Sequence, residues 1–169
     1  MVLDMILEVG CRLRRLSNNN IGVDLRMSNL IDVQADVHFL PFRKRVFTRT
    51  IMFEVLEHLV SPERALSEVS RVTNGDLMLS IPNIFYFGRI VRHLLSTKSE
   101  ISYDHSNAWG QAEIINVLAK TNFQVVEFRF FNTHYHTPRG FKKLLDFLIP
   151  NHLSKHSLFI YAQNNVGII

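Results

Sequence analysis

Apolar positions along the chain fall into short runs separated by Gly, Asn, Asp and Pro. Met5 to Val9 is one run, broken only by Glu8 and closed by Gly10; Ile21 to Val23 is a second, ending on Asp24. Runs this short and so bounded predict strands buried on both faces, as in a parallel sheet. A third strand is expected over Ile31 to Ala35, ending at Asp36, and a fourth over Val46 to Phe53. Between them Val37 to Phe42 leaves the sheet, because Pro41 cannot donate to a ladder. Glu54 to Leu59 reads as a turn or a single helical turn. Ser61 as N-cap, Pro62 at the first helical position and Glu63 beside the dipole then predict a helix start. Ala65, Leu66, Val69 and Val72 recur at helical spacing, and Asn74-Gly75 is expected to end that helix. Asp76 to Ile81 is the fifth strand, stopped by Pro82-Asn83.

The second half is less regular. Phe85, Tyr86 and Phe87 mix with Arg89, Arg92, His93 and Lys98. A helix capped by Ser106 or Asn107 would present Ala112, Ile115, Leu118 and Ala119 as its apolar face. Gln124 to Phe131 alternates as a strand, Gly140 to Ile149 reads as a short amphipathic helix, and Leu158 to Ala162 as a last strand. Strands and helices alternating over short connections predict an α/β fold built on an open, mostly parallel sheet. Residues 1–169 are read as a single domain, with 84–104 as a candidate substrate-side lid and 132–157 as an insertion before the last strand.

Composition narrows the class. The chain has 169 residues, 47% apolar and 20% charged, enough to bury one sizeable core. A net charge of +4 permits an acidic partner without demanding one. Cys11 is the sole cysteine, which excludes an intrachain disulfide and makes a reducing, cytoplasmic setting the default. Arg89 and Asp146 break the longest apolar stretches, so no membrane span is expected, and Asp4 and Glu8 stand where a signal peptide would be basic. No internal repeat or low-complexity segment is present, and oligomeric state is not legible.

Candidate chemistry gathers at strand ends. A Gly turn after the first strand allows close backbone approach to a ligand, and the acid ending the second can accept hydrogen bonds from ribose hydroxyls; the plain alternative is two buried strands joined by a turn. His134-x-His136 would share one face of a strand, but no third ligand accompanies the pair and no metal is expected. The aromatic and basic stretch from Phe85 to Lys98 could grip an acidic or planar substrate, or pack on the sheet with its charges in water; nucleic acid is not specifically indicated. Arg43-Lys44-Arg45 and Arg139 to Lys143 read as solvated faces.

The pieces Leu-Glu-Val-Gly-Cys, Gly-Val-Asp-Leu, Ala-Asp-Val-His-Phe-Leu-Pro-Phe and Glu-Val-Leu-Glu-His-Leu follow one another in that order. Ser-Glu-Val-Ser-Arg-Val, Leu-Ser-Ile-Pro-Asn and Asp-His come later. Together they resemble the class I S-adenosylmethionine-dependent methyltransferases from Met5 to about Phe131. The resemblance implies a doubly wound, seven-stranded, Rossmann-like sheet with helices on both faces, and S-adenosylmethionine as cofactor. It implies that Gly10 and its neighbours face the methionine part, and that Asp24 holds the ribose hydroxyls. Asp36 would accept from the adenine amine with Val37 packing nearby, and Phe53 and Glu54 would line the sulfonium. Glu8, Cys11 and Leu25 complete the expected cofactor-binding set.

Two positions depart from that pattern. The family's glycine loop reads Gly10-Cys11-Arg12-Leu13-Arg14 here, which removes positive-φ freedom and sets long cationic side chains beside a sulfonium. Only Gly10 to Asn20 separates the first two strands, so the first helix must be short or absent, and the family's helix before strand one is missing. The implied function is therefore methyl transfer to a small molecule or polymer with an O, N or C nucleophile. The alternative is a non-catalytic methyltransferase-like binding module whose cleft is filled by Arg12 and Arg14. Methyl transfer needs alignment first and a base only where the acceptor loses a proton. His58 and His105 are the candidates by position; His58 can equally bond a backbone carbonyl, and Glu57 can be an anchor.

Overall fold

A computed structural model describes residues 4–13, 15–87, 107–131 and 150–165. The strands are β1 (Ile6–Val9), β2 (Ile21–Asp24), β3 (Val33–Gln34), β4 (Phe47–Phe53), β5 (Thr73–Pro82), β6 (Phe123–Phe131) and β7 (Ser157–Asn164). They form a seven-stranded sheet in the order β3-β2-β1-β4-β5-β7-β6. The first five strands run parallel to one another, and β7 is antiparallel to both β5 and β6. This is the expected doubly wound, Rossmann-like arrangement. The α-helices α1 (Pro62–Val72), α2 (Gln111–Lys120) and α3 (Asn151–Ser154) accompany 3₁₀ turns at Val37–Phe39 and Leu56–His58.

Alternation along the strands selects one face as the core. Leu7 and Val9 of β1, Met52 of β4, Leu77, Leu79 and Ile81 of β5, and Leu158 and Ile160 of β7 are all buried. They meet Ala65, Leu66, Val69 and Val72 of α1 and Ile114 and Leu118 of α2 in one cluster. Each such aliphatic side chain contributes about 1.5–3 kcal/mol by leaving water.

Four local expectations are corrected. Helix α1 starts at Pro62, but the Ser61 side chain makes no capping bond; only its carbonyl accepts, from Ala65 N–H at 3.1 Å. Asn74-Gly75 does not end α1. The helix passes directly into β5 at Thr73, and the pair sits where the β4–β5 register shifts between Phe47 and Arg49. A Cβ on Gly75 would lie 2.3 Å from the Thr48 carbonyl oxygen, so this glycine serves a close strand contact. In α2 the buried face is Ile114 and Leu118 rather than Ala112 and Ala119, both exposed, and Gly110 occupies the N-cap. Strand β3 is confined to Val33–Gln34, flanked by single bonds from Asp32 N–H to Gly22 O (2.9 Å) and Ala35 N–H to Asp24 O (3.1 Å).

The expected helix at Gly140 to Ile149, the stretch from Arg89 to Lys98, Ser106, His105, His134, His136, Arg139 to Lys143 and Arg14 lie outside the described residues. Among the described residues no helix is long and apolar enough to cross a membrane, and no group of three metal-binding side chains occurs.

Candidate functional site

Strands β1, β2 and β4 run side by side in parallel, so their C-terminal ends open on one edge of the sheet. Ligands bind at such edges in open α/β sheets. A cavity of about 790 Å³ lies there, within the roughly 300–1,000 Å³ typical of small-molecule sites.

The loop after β1 forms one wall. Gly10 sits at φ +78°, and its N–H donates to Val23 O at 2.8 Å. A Cβ there would lie 2.2 Å from Val55 Cγ2, so both the backbone angle and the space require glycine. Among the described residues of this loop no helix forms, and side chains do its work. Glu8, 4% exposed, accepts from Leu16 N–H at 2.8 Å and from Asn20 Nδ2 at 3.0 Å. The Arg15 guanidinium donates to the carbonyls of Leu30 and Asn20 and pairs with Asp32 at 2.5 Å, while Asp32 also accepts from Gly22 N–H. That backbone bond first, then Arg15, holds the Asp32 carboxyl below its ordinary range. The loop is thus bolted to β2 and to the turn before β3.

Cys11 packs under the loop, its thiol 3.9 Å from the carbonyls of Val23 and Leu30. Burial, then the neighbouring Glu8 charge, pushes the thiol's pKa up, which keeps it protonated and rules out a resting thiolate nucleophile.

Asp24 closes β2 at the cavity. Its Oδ2 accepts from Arg12 N–H at 3.2 Å and its Oδ1 from Arg26 N–H at 3.0 Å. Both oxygens are thereby fixed in position, with lone pairs left for a ligand. Opposite, β4 ends at Phe53, and Glu54 follows at φ +54°, an uncommon conformation for a side chain of its size. Ser80 on the adjacent β5 holds it there. Glu54 N–H donates to Ser80 O at 3.0 Å and reaches Ser80 Oγ at 3.2 Å, and the Ser80 hydroxyl donates to Glu54 Oε1 at 2.9 Å. Strain held this tightly at a ligand cavity is a mark of functional backbone.

His58 reaches the cavity from the Leu56–His58 turn, half-exposed, its Nε2 4.0 Å from Glu57 Oε1. Glu57 is 2% exposed, and its carbonyl accepts from Asn107 N–H at 3.1 Å, tying this turn to the segment before α2. An aromatic wall completes the site: the Phe53 and Phe159 rings are 6.1 Å apart and Phe131 and Phe159 6.5 Å.

The cavity therefore brings together Glu8, Gly10, Cys11, Asp24, Phe53, Glu54 and His58 of the expected residues. Leu25, Asp36 and Val37 are not part of its lining. Leu25 is exposed and Val37 is buried in the core. Asp36 caps the Val37–Phe39 turn, accepting from His38 N–H at 2.9 Å and contacting His38 Nδ1 at 2.6 Å. The backbone bond, reinforced by the ring, holds its carboxyl below the usual range against the opposing effect of burial. Ser80, Arg26, Phe131 and Phe159 line the cavity without having been singled out. For Ser80 a signal existed, a hydroxyl inside the otherwise apolar run from Leu77 to Ile81; for Phe159 and Phe131 none did.

Residues 8–79 match the family model of the methyltransferase domain. An uncharacterized protein of Methanocaldococcus jannaschii is 28% identical over 106 residues, covering 54% of this chain and 42% of that protein. The chain thus spans well under half the length of that relative. Among solved structures, a SAM-dependent methyltransferase from Methanosarcina mazei superposes with TM-score 0.65 at 16% identity, over 97% of this chain and 93% of that one. One from Archaeoglobus fulgidus superposes with TM-score 0.64 at 14% identity, over 94% and 85%. At such identities the likeness establishes the fold.

Proposed function

We propose that this chain, whose residues 8–79 match the methyltransferase domain model and whose fold is that of S-adenosylmethionine-dependent methyltransferases, is a working enzyme of that class that transfers a methyl group to a small molecule or polymer. The acceptor carries an O, N or C nucleophile. The observation that carries this reading is the pairing of Gly10 and Asp24 across one open cavity. Gly10 permits the left-handed turn that holds the loop backbone at the cavity wall. Asp24 presents two fixed oxygens, the acceptor pair that adjacent ribose hydroxyls require.

The cofactor supplies a methyl group activated on a sulfonium. The protein's share is placement. Asp24 and the Gly10 loop anchor the nucleoside and amino-acid parts, and Phe53 with the strained, Ser80-clamped Glu54 lines the reacting end. Aromatic faces suit a cationic sulfonium, and Phe131 and Phe159 extend that apolar wall toward the acceptor. Where the acceptor must lose a proton, His58 stands at the cavity to take it. Among the described residues, Arg12 lines the cavity without filling it, which favours this reading over the binding module.

Isothermal titration with S-adenosylmethionine and S-adenosylhomocysteine tests the proposal. Micromolar binding is expected, and Asp24→Ala should weaken it by about 100-fold or more, the effect of losing two hydrogen bonds to a charged acceptor. Ligand at 100 times its Kd should also raise the stability of the native protein by about 2.7 kcal/mol. No heat and no thermal shift at millimolar ligand would overturn the reading in favour of a binding module without cofactor.

A further inference from the structure

Arg12 stands where the family has a second loop glycine, and its surroundings give that replacement a purpose. Its backbone is fixed on both sides: the N–H donates to Asp24 at 3.2 Å, and the carbonyl accepts from Ser28 Oγ at 3.0 Å. Its side chain lines the cavity and forms no ion pair among the described residues. The acids nearby are occupied. Glu8 is bonded to Leu16 and Asn20, Asp24 to two backbone amides, and Glu54 to Ser80. Arg15, three residues on, is committed to Asp32 and three carbonyls. A guanidinium left without a carboxylate in a ligand cavity is matched to an anion the ligand brings.

Resting on the cofactor reading above, we infer that Arg12 binds the carboxylate of the cofactor's amino-acid arm. That carboxylate is the cofactor's one anionic group, and the sheet order fixes where it lies. Strand β1 stands between β2, whose Asp24 takes the ribose, and β4, whose Phe53 and Glu54 line the reacting end. An arm leaving the ribose toward the reacting end therefore passes over the β1 tip, which carries Gly10 to Arg12. Arg26, the other cavity arginine without an ion pair among the described residues, follows β2 and enters from the side away from β4. The arginine thus replaces the loop's lost backbone flexibility with a direct charge contact to the arm's carboxylate.

The test compares two ligands that differ in this arm. S-adenosylhomocysteine carries it, whereas 5′-methylthioadenosine keeps the nucleoside and thioether without it. Calorimetry on the wild type, Arg12→Gly and Arg12→Lys is expected to show Arg12→Gly losing about 10- to 100-fold for S-adenosylhomocysteine. Methylthioadenosine should change by less than about 2-fold, and Arg12→Lys should recover part of the loss. The wild-type preference for S-adenosylhomocysteine should shrink as salt rises. Equal losses for both ligands would make Arg12 a loop scaffold and overturn the inference, as would tighter binding once the family glycine is restored. Should the wild type bind neither ligand, the cofactor reading itself fails. Binding of both that is indifferent to Arg12 rejects the inference alone.

Discussion

Two residues at the cavity hold backbone angles that side chains avoid, and they do so for opposite reasons. Gly10 has the angle because nothing else fits, whereas Glu54 has it in spite of its side chain because Ser80 grips it from three directions. Gly10→Ala should therefore lower unfolding free energy by about 2–4 kcal/mol, adding left-handed strain to a collision with Val55. In a denaturant titration, Val55→Ala in the same chain should return only the steric part, so the double mutant falls between Gly10→Ala and wild type. A non-additive cycle of this kind identifies the pair as touching. Gly10 and Asp24 were legible because each closes an apolar run in the sequence itself. Phe131 and Phe159 were not, since their approach to Phe53 depends on which strand lies beside which.

Helix α1 is joined to the preceding loop through the side chains of Arg71 and Glu68. Arg71 pairs with Glu68 at 2.8 Å and donates to the carbonyls of Leu40 (2.9 Å) and Phe42 (2.8 Å), while Glu68 accepts from Leu40 N–H at 3.1 Å. This knot fixes the chain between the Val37–Phe39 turn and β4, where Pro41 removes a donor and no ladder is available. Arg71→Met keeps the apolar stem and deletes the donors, so two carbonyls lose their partner and the Glu68 carboxylate keeps only the Leu40 N–H. A loss of about 2–3 kcal/mol is expected in urea unfolding, with cofactor affinity unchanged because the knot lies away from the cavity lining. The start of α1 was readable from Pro62, and its core face from its apolar spacing. Its end was misplaced because Asn-Gly serves strand irregularities as well as helix caps, and only the closeness of Thr48 decides between them.

Across the whole molecule, Asp32, Asp36 and Glu68 all have carboxyls held below their ordinary range. The bonds responsible come first from Gly22 N–H, His38 N–H and the Arg71 side chain, respectively. Groups depressed on folding contribute stability above their unfolded pKa values, about 4, and that contribution disappears as pH falls through the lower folded values. Unfolding free energy measured by denaturant from pH 7 to pH 2 should thus hold nearly level to about pH 5 and decline below about pH 4. Asp32 and Asp36, with 42% and 45% of their side chains exposed, supply less through their ion pairs than Glu68 at 23%. The sheet order carries a further consequence, for assembly. In the described sheet β6 touches only β7, and β7 is inserted between β6 and β5 although it is the last strand in sequence. During synthesis β6 therefore emerges before its only neighbour exists, and β5 waits with an open edge beside it. Such an edge can recruit strands from other chains, and distant pairings of this kind form slowly. The half of the sheet that carries Phe131 and Phe159 is completed only when the ribosome has delivered β7, so this aromatic wall of the cavity forms after the β1–β5 half of the sheet has already emerged.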